Sequence, residues 1–130
     1  MFGGKVGTPD MRQDEALYNF FASFNIPAYA TTAVPEDAVY PWLTYDLITG
    51  SWEDVNSITV NLWYYGTSEA EANQKVEEIS HAIGLGGKLI LCDGGALWLK
   101  RGSPWCQSVK DADNMVKRRY INVDVEFLVT

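Results

Sequence analysis

The residues from Tyr120 to Phe127, YINVDVEF, alternate without a break. Ile121, Val123, Val125 and Phe127 fall on one side, and Asn122, Asp124 and Glu126 fall on the other. Side chains of a strand point to opposite faces with a period of two, so this segment has one apolar face and one acidic face. Such a strand belongs in a sheet with one face covered and the other open, the usual situation of antiparallel sheets. A slip of one residue would turn the whole apolar set outward, so the register is strongly specified here.

The cover must come from helices, and the sequence offers two. Leu17, Phe20, Phe21 and Phe24 recur at i, i+3, i+4 and i+7, a single apolar helical stripe. Thr8 as cap with Pro9 and Asp10 in the first turn marks its expected start, and Asn25 with Pro27 its end. Ala72, Val76, Ile79 and Ile83 form a second stripe. A Ser68–Glu71 capping box is expected to open that helix and Gly84 to stop it. Between the helices, AYATTAV (28–34), YPWLTYDLI (40–48) and ITVNLWYY (58–65) read as strands, bounded by Pro35 and Pro41 and rich in β-branched and aromatic residues. KLILC-DGG-ALWLK reads as a hairpin over 88–100, with Asp93, Gly94 and Gly95 at its turn. RGSPWCQSVKDADNMVKRR (101–119) shows little periodicity and reads as a long loop. The expected order is α-β-β-β-α-β-β-β. The expected fold is α/β of the α+β kind: a mostly antiparallel sheet of about five to six strands with both helices on one face. The 130 residues suit a single domain over 1–130, with the glycine-rich residues 1–7 mobile.

Charge and composition narrow the functional classes. A net charge of −7 gives no global attraction to nucleic acid, so such binding would need a local basic patch. The only dense candidate is Lys117, Arg118 and Arg119, which open the last strand. No run of 18 apolar residues exists to span a bilayer. The opening MFGGKVGTPD has no apolar signal-peptide core, so cytoplasmic synthesis is expected. Cys92 and Cys106 read as two free thiols, which pack as small hydrophobes. His81 is the sole histidine, too few imidazoles for a zinc site and placed to cap a helix end. No nucleophile is held by a base. GLGGK (84–88) follows a helix and precedes a strand, the reverse of a phosphate-loop context. Catalytic, metal and cofactor-binding residues are therefore expected to be absent.

The aromatic share, 13%, is the informative excess. If Ile58, Val60, Leu62 and Tyr64 face the helices, Trp63 and Tyr65 face away, and likewise Trp98 between Leu97 and Leu99. Large apolar side chains on the uncovered face point to an interface. Trp105, Val109 and Met115 add candidate contact residues, since long loops are usually functional.

The strings YPWLTYDL, NLWYYGTSEAEANQKVEEISHAIG, DGGALWLKRGSPWCQSV and RRYINVDVEFL, in this order, resemble the phage tail terminator family, the tail completion or minor tail proteins of long-tailed phages. The resemblance spans roughly residues 10–130 and rests on element order, not on a catalytic motif. It implies a structural virion protein forming a homo-hexameric ring. The ring would cap the tail tube, end its growth and join the tube to the head–tail connector protein. It implies a place in the neck of the virion tail, assembly in the host cytoplasm, and DNA passing through the hole without specific binding. Asn122, Asp124 and Glu126 would then suit the channel lining, where acidic groups repel phosphates. The same residues could instead face solvent or meet Lys100 and Arg101. Three other readings stand beside this one: another neck or head–tail joining protein, a small enzyme using carboxylates and His81, and a nucleic-acid-binding module using Lys117, Arg118 and Arg119. The missing constellation weighs against the enzyme and the net charge against the last.

Overall fold

The computed structural model describes residues 11–129. The segment 1–7 and the helix start at Thr8, Pro9 and Asp10 lie outside them. Two helices and six strands follow in the order α1 (Gln13–Ala22), β1 (Ala28–Ala30), β2 (Trp42–Tyr45), β3 (Asn56–Tyr65), α2 (Ala70–Ile83), β4 (Lys88–Cys92), β5 (Gly95–Val109) and β6 (Val116–Val129). The strands form one sheet in the order β1-β2-β3-β6-β5-β4. Only β1 and β2 run parallel; every other pair is antiparallel. The fold is α+β, as the alternation of patterns implies.

One sheet face is covered. Leu43 and Tyr45 of β2, Ile58, Val60, Leu62 and Tyr64 of β3, Leu97 and Leu99 of β5, and Ile121, Val123 and Val125 of β6 are buried there. The helices close over them. α1 contributes Leu17, Phe20 and Phe21, and the turn after it adds Phe24. Phe21 stacks on Tyr45 at 5.0 Å, and Phe20 meets Phe24 edge-on at 5.2 Å, geometries that favour aromatic pairs beyond their area. α2 contributes Ala72, Ile79 and Ile83 and contacts β3, β5 and β6.

Several local expectations change. α1 ends at Ala22, and the chain reverses through Asn25 at φ 63°, a left-handed conformation that asparagine tolerates. The strands expected over 28–34 and 40–48 shrink to three and four residues. The capping box does not form: the Ser68 hydroxyl accepts from the Ala70 N–H at 3.0 Å, and Glu69 occupies the cap position. The Glu69 carboxylate is committed instead to Arg119 and Lys117 of β6. At the hairpin, Cys92 pairs with Gly95, so the turn is Asp93–Gly94 alone, with Gly94 at φ 81°.

The largest correction concerns 101–117. It is not a long loop: β5 continues to Val109 and pairs with β6 on both sides of a bulge, leaving residues 110–115 as connection. Arg101 pairs with Val123 and Cys106 with Ile121, so four residues of β5 oppose Asn122 alone. This bulge reverses the in–out parity of the strand, which erases the period-two signal. Gly102 is required there, because a Cβ would stand 2.7 Å from Asn122 Cβ. The Asn122 side chain holds the bulge by donating to the Pro104 carbonyl at 2.8 Å.

Burial has a titration consequence. Tyr64 is 7% exposed, and burial, reinforced by Glu71 and Glu78, pushes its hydroxyl from 10.0 up to about 12. The folded state holds this proton over a window in which the unfolded chain releases it. The associated stability is complete below pH 10 and lost as pH rises towards 12, by up to about 2–3 kcal/mol. Denaturant melts across that window should show wild type losing more stability than Tyr64→Phe; equal losses would place the alkaline sensitivity elsewhere.

Candidate functional site

Among the described residues, no helix packs on the opposite sheet face. At one end, cross-strand register places Trp42, Trp63, Arg118 and Val109 in one row over β2, β3, β6 and β5. Trp42 and Trp63 stack at 6.1 Å, Tyr40 packs on Trp42 at 4.5 Å and on Tyr65 at 5.3 Å, and the Arg118 guanidinium lies 4.5 Å over the Trp63 ring. Arg118 Nε donates to Asn61 Oδ1 at 2.9 Å, and Trp63 Nε1 donates to Thr44 Oγ1 at 3.4 Å. The rings thus cover one another's faces and form a rigid ridge. Tyr40 and Tyr65 remain 38% and 53% exposed. Side chains locked in this way lose little rotamer freedom when a partner docks, and Trp, Tyr and Arg are the typical anchors of interfaces.

The predicted contact residues do not form one patch. Trp63, Tyr65 and Val109 meet at the ridge, and Met115 lies beside it, its carbonyl accepting from Gly66 N–H at 2.8 Å. Trp98 pairs with Glu126, eight positions along β6 from Arg118, or roughly 26 Å at the strand rise. There Lys100 stands 4.2 Å over the indole, whose N–H donates to the Gly86 carbonyl at 2.9 Å. Trp105 sits in the bulge, half-buried and packed against the core. It is a member of strand β5 rather than an anchor on a free loop.

Asn122, Asp124 and Glu126 do lie on the open face, but each is engaged. Asn122 holds the bulge, Asp124 accepts from Ser57 Oγ at 2.8 Å, and Glu126 pairs with Lys100 at 3.5 Å. Arg101 turns the other way, its Nη1 donating to Ser80 Oγ of α2 at 2.8 Å.

The basic run is also divided by strand parity. Arg118 joins the ridge. Lys117 and Arg119 point to the helix side, where Arg119 is 5% exposed and donates to Asn73 and Glu69 of α2. The hydrogen bond from Arg119 holds the Glu69 carboxyl below the usual carboxylate range. Cys92 is buried and Cys106 half-buried, both free, and burial raises both thiols. His81 lies in the last turn of α2, exposed. Among the described residues, no three His, Cys, Asp or Glu side chains come together as a metal-holding group, and no helix is long and apolar enough to cross a membrane. Comparison with protein-family models and with curated proteins gives no match.

The sequence pointed to Trp63 and Tyr65 through parity. It missed Tyr40, Trp42 and Arg118 as their partners, because which strands are neighbours is not written in any one segment.

Proposed function

We propose that this chain is a structural virion protein, a phage tail terminator whose copies form a ring on the end of the tail tube. The ring would stop tube growth and join the tube to the head–tail connector protein. The supporting observation is the sheet face that no described helix covers, with its preformed Tyr40–Trp42–Trp63–Arg118 ridge. Stacked rings of this kind suit docking to a protein better than turnover of a small substrate. The element order and the strings that resemble the family agree with this reading. DNA would traverse the hole without being held, past Asn122, Asp124 and Glu126 or another segment of low affinity for phosphate.

Light scattering and negative-stain microscopy over a concentration series test it. Closed rings are expected, either free or on the ends of tail tubes. A chain that stays monomeric and never joins tubes overturns the proposal. Rings that retain DNA in a gel shift at moderate salt overturn the passive lining alone.

A further inference from the structure

A cleft of about 300 Å³ opens beyond the ridge, between the start of α2, the end of β5 and the 110–115 connection. Its walls carry Lys110, Lys117, Arg118 and Arg119, with Val109 and Val116 adding apolar surface. Two acids, Glu69 and Asp111, also line it; Lys117 and Arg119 are paired with Glu69 and Arg118 is held by Asn61, which leaves Lys110 as the exposed, uncommitted cation of the cleft. Lys110 is exposed and the two valines are half-buried.

The opposite end of the sheet has the opposite character. The turn before β3 presents Glu53, Asp54 and Val55 to solvent, with Val55 55% exposed. Three hydrogen bonds fix this turn: the Asn56 side chain donates to the Ser51 and Asp54 carbonyls, both at 3.1 Å, and the Glu53 N–H donates to Ser51 Oγ at 3.0 Å. Acid, acid, apolar is the complement of a cleft that offers an exposed lysine and two valines. The turn cannot reach the cleft of its own chain. Asn56 to Tyr65 is one unbroken strand of ten residues, which holds the two ends about 30 Å apart.

We propose that the Glu53–Val55 turn of one copy seats in the Lys110–Arg118 cleft of the next. Glu53 and Asp54 meet Lys110 while Val55 packs between Val109 and Val116. The two surfaces differ, so the contact is head-to-tail and repeats until it closes a ring or grows a filament. The inference rests on the ring reading above and assigns that ring its subunit contact.

Charge swaps at two exposed positions provide the test, read by sedimentation velocity with circular dichroism as the folding control. Lys110→Glu and Asp54→Lys should each weaken self-association by about tenfold or more, because like charges then face each other. The two swaps combined in one chain should restore it, and added salt should weaken the wild-type contact. A wild type that associates equally well with and without the single swaps overturns this contact and leaves the ring reading intact. Failure of the double swap to restore association also overturns it. A cleft that binds short DNA duplexes while copies do not compete overturns it in favour of a polyanion site. Wild type that never associates, alone or on tubes, defeats both readings.

Discussion

Val125→Asp is expected to leave no folded protein. Val125 is 1% exposed and sits in the middle of the sheet, paired with Asn56 on one side and Leu99 on the other. Its neighbours on that face are the apolar side chains of the main core. The polar groups that register places beside it are already committed, the Asn56 amide to the Ser51 and Asp54 carbonyls and the Arg101 guanidinium to Ser80 Oγ, and burying even a neutral polar group without a partner costs several kcal/mol. A domain of this size is stable by about 5–15 kcal/mol in total, so the substitution consumes most or all of that margin. Glu126→Ala, one residue along and on the open face, is the control. Its loss removes a partly exposed pair with Lys100, worth about 0–1 kcal/mol. Soluble yield and far-ultraviolet circular dichroism check both. A folded Val125→Asp protein would mean that this face is not the packed one.

Arg119→Ala should be the most damaging change among the charged residues, at about 3 kcal/mol. The side chain is 6% exposed and makes charge-assisted hydrogen bonds to Glu69 at 2.6 Å and to Asn73 at 2.9 Å, with a further bond to the Arg118 carbonyl at 3.1 Å. These bonds tie the first turn of α2 and its cap residue Glu69 to β6. Bonds to ionised groups contribute about 1.5–3 kcal/mol each when fully formed, and truncation also leaves an unfilled space. Arg119→Lys should recover only part of the loss, since an ammonium cannot reproduce the fork to two partners. Urea unfolding midpoints give the sizes, and a Glu69 carboxyl that returns to the ordinary range in Arg119→Ala identifies the lost partner. If instead stability is unchanged and nucleic-acid binding disappears, the basic run is a binding patch and not a brace.

How far the sequence reaches can be traced through these same residues. The order of helices and strands was legible because each pattern is local: the Leu17–Phe24 stripe, the Ile58–Tyr64 alternation, the Ile121–Phe127 alternation. The far half of β5 was not, because its bulge inserts four residues opposite Asn122 and so cancels the alternation on which the reading depends. Helix α2 takes its cap at Glu69, one position past the expected Ser68, and the Glu69 side chain is tied to Arg119, a residue 50 positions away that no local pattern reveals. The candidate site shows the same limit. Parity within β3 turned Trp63 and Tyr65 outward, yet the ridge exists only because β2 and β6 flank β3 in a particular register. Strand alternation puts Arg118 on the open face, while Lys117 and Arg119 both turn to the helix side and pair with Glu69, so three consecutive cations do two different jobs.

The pairing around the Asp93–Gly94 turn also decides where the polypeptide can be joined to anything else. The Met11 carbonyl accepts from the Asp93 N–H at 2.7 Å, and the Met11 N–H donates to Asp93 Oδ1 at 3.0 Å. Val129 pairs with Gly95 on the other side of the same turn. Both ends of the described chain therefore emerge side by side, at the pole of the sheet remote from the Trp42–Trp63 row. The fold is nearly a closed circuit, and linking its ends across that turn would leave every strand pairing in place.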